Sequence, residues 1–195
     1  FSEKLKFIYS PAVCFLFLFL KINNDRALKI STMVNMLKIL AVKNLSLSLK
    51  EGEVLGIVGE SGSGKSVTAK SIMQLNPGNT HYEDGGEIII DDENVLKFDS
   101  IKDLKKIRGG KVSMIFQEPM ASFAPAIKIG NQMVEQLLLH KSIKKAEAKS
   151  ISVDMLKRVG IADAEKRFNQ YAFELSGGMR QRAMIAMALS TMPKL

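Results

Sequence analysis

The chain has 195 residues, 46% of them apolar, which is enough for one α/β domain with a buried core and an appendage. Its 28 Lys and Arg against 20 Asp and Glu give a net charge of +8, spread along the chain as a solvated surface rather than gathered into a nucleic-acid patch. One cysteine, Cys14, excludes a disulfide framework and fits a reducing compartment, and the two histidines, His81 and His140, stand apart and build no zinc site.

Residues 1–35 differ in character from the remainder of the chain. Ala12 to Leu20 is a continuous apolar run, shorter than the roughly 20 residues that span a bilayer, and no small-x-small cleavage site comes after it. The chain opens on Phe1, while Met33 and Met36 stand just ahead of an orderly pattern. This stretch is expected to be an atypical hydrophobic and basic extension, non-native or misassigned, ahead of a domain over 36–195.

From Ala41 the periodicities become regular. Leu45, Leu47 and Leu49 alternate with Ser46 and Ser48, the two-residue period of a half-buried strand, and Lys50-Glu51-Gly52 reads as its closing turn. Val54-Leu55-Gly56-Ile57-Val58 is nearly all apolar, the pattern of a short strand buried on both faces.

That strand leads into Gly59-Glu60-Ser61-Gly62-Ser63-Gly64-Lys65-Ser66, which fits G-x-x-x-x-G-K-[ST] at every fixed position. Glycines let the backbone turn tightly and present N–H groups to phosphates without a Cβ in the way. Lys65 supplies a point charge for the β- and γ-phosphates, and the Ser66 hydroxyl is placed to ligate Mg²⁺. Val67 to Gln74 has a helical pattern, so the loop ends at a helix N-terminus, whose partial positive charge favours an anion. Phosphate binding follows from these residues, Gly59 through Val67. The loop alone does not choose among kinases, GTPases and transport ATPases.

Further on, Val112-Ser113-Met114-Ile115-Phe116 reads as a second buried strand, ending at Gln117. Lys141 to Lys149 reads as a solvated helix face. Leu175-Ser176-Gly177-Gly178-Met179-Arg180-Gln181-Arg182 then precedes an Ala/Met-rich helical run from Ala183 to Leu189. Ser176 is a good N-cap, and two glycines at a helix start leave backbone donors open to a ligand.

A perfect P-loop and, further along, this Leu-Ser-Gly-Gly segment resemble the ABC transporter ATPases over roughly residues 41–195. The resemblance implies an α/β P-loop NTPase core with an antiparallel β subdomain and a helical subdomain at about 118–175. It implies that two ATPase subunits, identical or different, pair head to tail. Ser176, Gly177 and Gly178 of one would then meet the γ-phosphate of the ATP held by the other's P-loop. Gln117 matches the family's Q-loop glutamine, whose carboxamide can ligate Mg²⁺ and orient the attacking water. Lys65 and Gln117 are thus the implied catalytic residues, and Ser66 and Gln117 the implied Mg²⁺ ligands.

The finer resemblance is to the ATPases of oligopeptide, dipeptide and nickel importers. It rests on Leu55 to Thr68, on Met114-Ile115-Phe116-Gln117-Glu118-Pro119-Met120, and on Gly177-Gly178-Met179-Arg180-Gln181-Arg182. It implies ATP and Mg²⁺ as cofactors and membrane permease subunits as partners. An external solute-binding protein is an indirect partner, nucleic acid is none, and the implied location is the cytoplasmic face of the membrane, held peripherally. Two other readings stay open, a soluble non-transport ABC ATPase and a non-catalytic nucleotide-binding fragment.

Three departures from the family bear on these expectations. No aromatic residue stands between Leu20 and Tyr82, where the family places one to stack on adenine. A shortened first strand and weaker or less selective base binding are therefore expected. The family's Asp-Glu strand end and switch His do not occur by Leu195, so the 195 residues alone are expected to hydrolyse ATP roughly 10²–10⁴-fold more slowly. The carboxy-terminal extension of the peptide-importer branch has no counterpart either.

Overall fold

The computed structural model describes residues 16–18, 28–34, 37–118 and 122–195. They fall into two compact units, Phe1–Asp99 and Ser100–Leu195. Most of the apolar run from Ala12 to Leu20, and Cys14 with it, lies outside the described residues.

The first unit is built from short strands around one helix. A three-stranded antiparallel sheet has the order β3-β2-β5, with β2 at Leu28–Val34, β3 at Leu37–Leu45 and β5 at Thr80–Tyr82. Ile30 lies at its centre, opposite Val42 on one side and Tyr82 on the other, and is fully buried. The expected boundary at residue 35 falls between β2 and β3. The strands β2 and β3 have seven and nine residues.

The strand expected at Leu45–Leu49 is displaced. The ladder ends at Leu45, but burial still alternates beyond it, with Leu49 buried and Ser46 and Ser48 exposed. The turn after it forms as expected: Glu53 N–H donates to the Lys50 carbonyl at 3.1 Å, and Gly52 supplies a φ of +80°.

β4, Leu55–Ile57, pairs antiparallel with β1, Leu16–Leu18, with Phe17 opposite Gly56. It is not buried on both faces as its composition suggests, since Val54 and Val58 are 59% and 66% exposed. A strand is hidden on both sides only where other elements cover it, and β1 is its sole ladder partner among the described strands. α1, Lys65–Ile72, turns Thr68, Ala69, Ser71 and Ile72 inward. At its end Asn76 ties the helix to the sheet: its amide donates to Ser71 Oγ at 2.7 Å and reaches the Tyr82 hydroxyl at 3.3 Å. A hairpin of β6, Ile89–Ile90, and β7, Glu93–Asn94, turns at Asp91 and Asp92, both with positive φ.

The second unit is helical. α2, Ile101–Ile107, starts at Ser100, whose Oγ accepts from Asp103 N–H at 3.1 Å. Beyond it, Val112–Phe116 is not the buried strand its residues suggest. Backbone pairing is limited to Lys111–Ser113, where Ser113 N–H donates to the Leu195 carbonyl at 2.7 Å and Leu195 N–H to Lys111 at 3.1 Å. With no ladder bonds past Ser113 among the described residues, Ile115 and Phe116 stay 47% and 40% exposed.

Four helices pack the core of this unit: α3 at Ile129–His140, α4 at Lys145–Arg158, α5 at Ala164–Phe168 and α6 at Gly177–Ser190. Ile129, Met133 and Leu137 follow the i, i+4, i+8 stripe of α3 and meet Leu156, Phe168 and Met184 in one cluster. Gly130 is required there, because a Cβ would collide with the Phe168 ring. The charged face of α4 is solvated as expected, with Lys144, Lys145, Glu147 and Lys149 all exposed. Among the described residues no helix is long and apolar enough to cross a membrane.

Candidate functional site

The P-loop occupies the link between β4 and α1. Gly62 and Gly64 have φ of +84° and +90°, a region L side chains rarely enter. Gly64 is doubly constrained, since a Cβ there would lie 2.6 Å from the Ala41 carbonyl oxygen and 3.0 Å from Val42. Gly59 is crowded within the loop itself, its would-be Cβ 2.8 Å from Ser63 Oγ. The loop is therefore held by its own chain in a shape that only these glycines allow.

Lys65 closes the loop. Its Nζ donates to the carbonyls of Gly59 at 2.7 Å and Glu60 at 2.6 Å, and to Ser63 Oγ at 3.1 Å. The ammonium thus sits at the loop's mouth, already oriented by oxygen atoms, a compact charge ready for an anion. Helix starts leave their first N–H groups without intrahelical acceptors, and in α1 these belong to Lys65, Ser66 and Val67. Gly64 caps the helix with no side chain, so nothing of its own covers those donors. Thr68 braces the turn, its Oγ1 donating to the Gly64 carbonyl at 3.0 Å. Glu60, Ser61, Gly62, Ser63 and Ser66 are exposed, and Gly59, Gly64, Lys65 and Val67 partly buried.

The other predicted residues belong to the second unit, in separate elements. Gln117 is exposed, just past the Lys111–Ser113 pairing. Ser176 caps α6 as expected, its Oγ accepting from Met179 N–H at 3.3 Å. Arg180 locks the approach by donating from Nη1 to the Leu175 carbonyl at 2.9 Å. Gly177 and Gly178 are exposed, and neither has a positive φ. A Cβ at Gly177 would have only Arg180 Nη2 within reach, at 4.0 Å, and one at Gly178 only Arg182 Nη1, at 3.7 Å. Among the described residues, no close contact asks for glycine at either place.

Sequence reasoning passes over four contributors. Ala41 and Val42, which fix Gly64, carry no motif and act through backbone and van der Waals contact alone. Thr68 has a recognisable signal, a hydroxyl in a first helical turn able to bond back to a carbonyl. Arg180 stands inside a motif, and its pattern does not disclose that it ties α6 to the segment before it.

Among the described residues no group of three or more His, Cys, Asp or Glu could hold a metal. The Ser66 hydroxyl and the carboxamide oxygen of Gln117, in separate units, are each of the oxygen type that hard cations such as Mg²⁺ take.

Strand, glycine-constrained loop, lysine and helix together define a P-loop nucleotide-binding cassette of α/β type. The ABC transporter family pattern matches residues 42–195, and the chain belongs to that family. It is 48% identical over 155 residues to the "Probable peptide ABC transporter ATP-binding protein y4tR" of Sinorhizobium fredii, covering 80% of this chain and 46% of that protein. To the "Oligopeptide transport ATP-binding protein OppD" of Escherichia coli it is 49% identical over 155 residues, covering 80% and 45%. The chain thus spans less than half the length of these relatives. Among solved structures it resembles the dimeric post-hydrolysis state of the ATP-binding cassette MJ0796 bound to ADP and Pi. The TM-score is 0.70 at 27% identity, covering 85% of this chain and 70% of that one.

Proposed function

We propose that the chain is the ATP-binding part of an ABC importer subunit that couples Mg-ATP binding and hydrolysis to the uptake of peptides. The nickel branch of the resemblance is the nearest alternative cargo. In this reading two such subunits pair head to tail, each P-loop facing the other's Ser176–Gly178. Permease subunits stand beyond them, and the assembly sits at the inner membrane surface. The relatives' names support the peptide cargo.

One observation carries the reading. The glycines that follow the Ser176 cap at the start of α6 are exposed and, among the described residues, relieve no close contact. Glycine disfavours a helix by up to about 1 kcal/mol relative to alanine, so a Gly-Gly start with open space above it is explained by a ligand from outside. A γ-phosphate offered by a second subunit fits, because N–H groups at a helix start bind anions.

Within one site the roles divide by chemistry. Backbone N–H groups of the loop cradle the phosphates, and Lys65 Nζ exchanges loop carbonyls for the β- and γ-phosphate oxygens. Ser66 Oγ and the Gln117 carboxamide oxygen would be the side-chain ligands for Mg²⁺. When bound, the ion neutralises charge on the β- and γ-oxygens. The other end of the Gln117 amide is left to orient water. These residues hold and position the triphosphate.

The test is Mg-ATP binding by the 195-residue chain and by Lys65→Ala, read by equilibrium fluorescence with a labelled ATP analogue. Removing one charged hydrogen-bonding partner should weaken affinity roughly 10- to 100-fold with the circular dichroism spectrum unchanged. Equal affinity for both chains would contradict the assignment.

A further inference from the structure

Just ahead of the capped helix start at Ser176, two aromatic rings lie flat against each other. Tyr171 and Phe173 stack with centroids 5.4 Å apart and planes inclined by 5°. Phe173 is 62% exposed. The pair is held firmly: Tyr171 N–H donates to Glu174 Oε2 at 2.6 Å, Glu174 N–H returns to the Tyr171 carbonyl at 3.1 Å, and Ala172 and Leu175 on either side are buried. With most of its surface in solvent, Phe173 gains little from burial.

What surrounds the rings limits what they can bind. Glu174, Ser176 and Gly177 beside Phe173 in the chain are exposed, and the flanking Ala172 and Leu175 are buried, so the chain itself adds no exposed apolar run to the ring. A single ring is too small for a lipid face or a protein groove, and the right size for one planar ligand. Successive Cα atoms are about 3.8 Å apart, so Phe173 stands at most about 11 Å along the chain from Ser176. This is a span comparable with that from base to terminal phosphate in an extended nucleoside triphosphate. Of the strands ahead of the P-loop, β2 and β3 contain no aromatic residue, and the one aromatic of β1, Phe17, lies opposite Gly56 in the ladder with β4.

We infer that Phe173, backed by Tyr171, is a stacking platform for the purine base of the nucleotide whose phosphates are held by a second copy's P-loop. The inference rests on the head-to-tail reading above and adds to it where the base goes. One copy would supply phosphate cradle and lysine, the other the helix start and the base platform. Stacking tolerates any base, so ATP and GTP should bind with similar affinity.

The experiment mixes wild-type chain with a tagged Lys65→Ala copy in the presence of Mg²⁺ and an ATP analogue carrying a photoreactive azide on the base. After irradiation the labelled tryptic peptides are mapped. The expected result is labelling of the peptide Phe168–Arg180 on the Lys65→Ala copy, and only when wild-type chain is present. Phe173→Ala, at an exposed position, should weaken ATP binding about tenfold, the scale of one lost base stack. It should leave inorganic tripolyphosphate binding unchanged, and Phe173→Trp should restore ATP affinity. Labelling elsewhere with none on Phe168–Arg180, or on that peptide of the wild-type copy alone, overturns the platform while leaving nucleotide binding intact. No labelling of either copy overturns both.

Discussion

At Gly64 a Cβ would press on the Ala41 carbonyl from 2.6 Å with φ at +90°, whereas at Gly177 and Gly178 a Cβ would meet nothing closer than an arginine tip at 3.7 Å. The P-loop glycines are chosen by their own chain, because the loop has no other way to turn. Among the described residues, the glycines of α6 relieve no close contact. The same residue type thus has opposite local signatures in the two regions, and local sterics tell them apart.

Substitution to alanine should separate the two regions by sign. Gly64→Ala carries the largest expected effect. A left-handed conformation costs an L-residue about 1–2 kcal/mol, and the collision with Ala41 adds to it, so a loss of about 2 kcal/mol or more is expected in urea unfolding, together with loss of Mg-ATP binding. Gly178→Ala should leave stability unchanged or raise it by up to about 1 kcal/mol. A large destabilisation there would mean that its glycine serves the fold after all.

The smallest effect concerns His140, at the end of α3. Its ring lies against Gly109 and Gly110, where a Cβ on Gly109 would be 2.7 Å from Nε2. Burial, assisted by the charge of Lys105, holds its pKa below the usual 6.5. The folded state therefore binds this proton less readily than the unfolded one. The stability this contributes is present above about pH 6.5 and is lost as pH falls through the lowered folded value. Thermal melts from about pH 7.5 to about 5.5 should show a shallow decline that His140→Gln flattens. An identical slope in the variant would remove His140 as its cause.

Sequence legibility tracks the range of the forces involved. The P-loop, α1, the turn at Lys50–Gly52 and the Ser176 cap are readable because a few adjacent residues with a local backbone requirement decide them. The strands are harder. Val54–Val58 and Val112–Phe116 are apolar enough for buried strands, yet their burial depends on neighbours far along the chain. β4 has only β1 beside it among the described strands, and pairing past Val112 stops at Ser113. β2 is hidden because Leu28–Val34 mixes Lys, Ser and Thr with its apolar residues, and its place is fixed by pairing with β3 and β5. The Tyr171–Phe173 stack could not be foreseen, since i, i+2 spacing says nothing about ring planes once the chain turns.

The central claim is that the α6 glycines are kept for a second copy's nucleotide, and sedimentation equilibrium of wild-type and Gly178→Ala chains with and without Mg-ATP tests it most directly. The account predicts that Mg-ATP shifts the wild-type chain toward a dimer. Gly178→Ala, folded and still binding Mg-ATP at its own P-loop, should stay monomeric. A Gly178→Ala chain that dimerises with Mg-ATP as readily as wild type would contradict it.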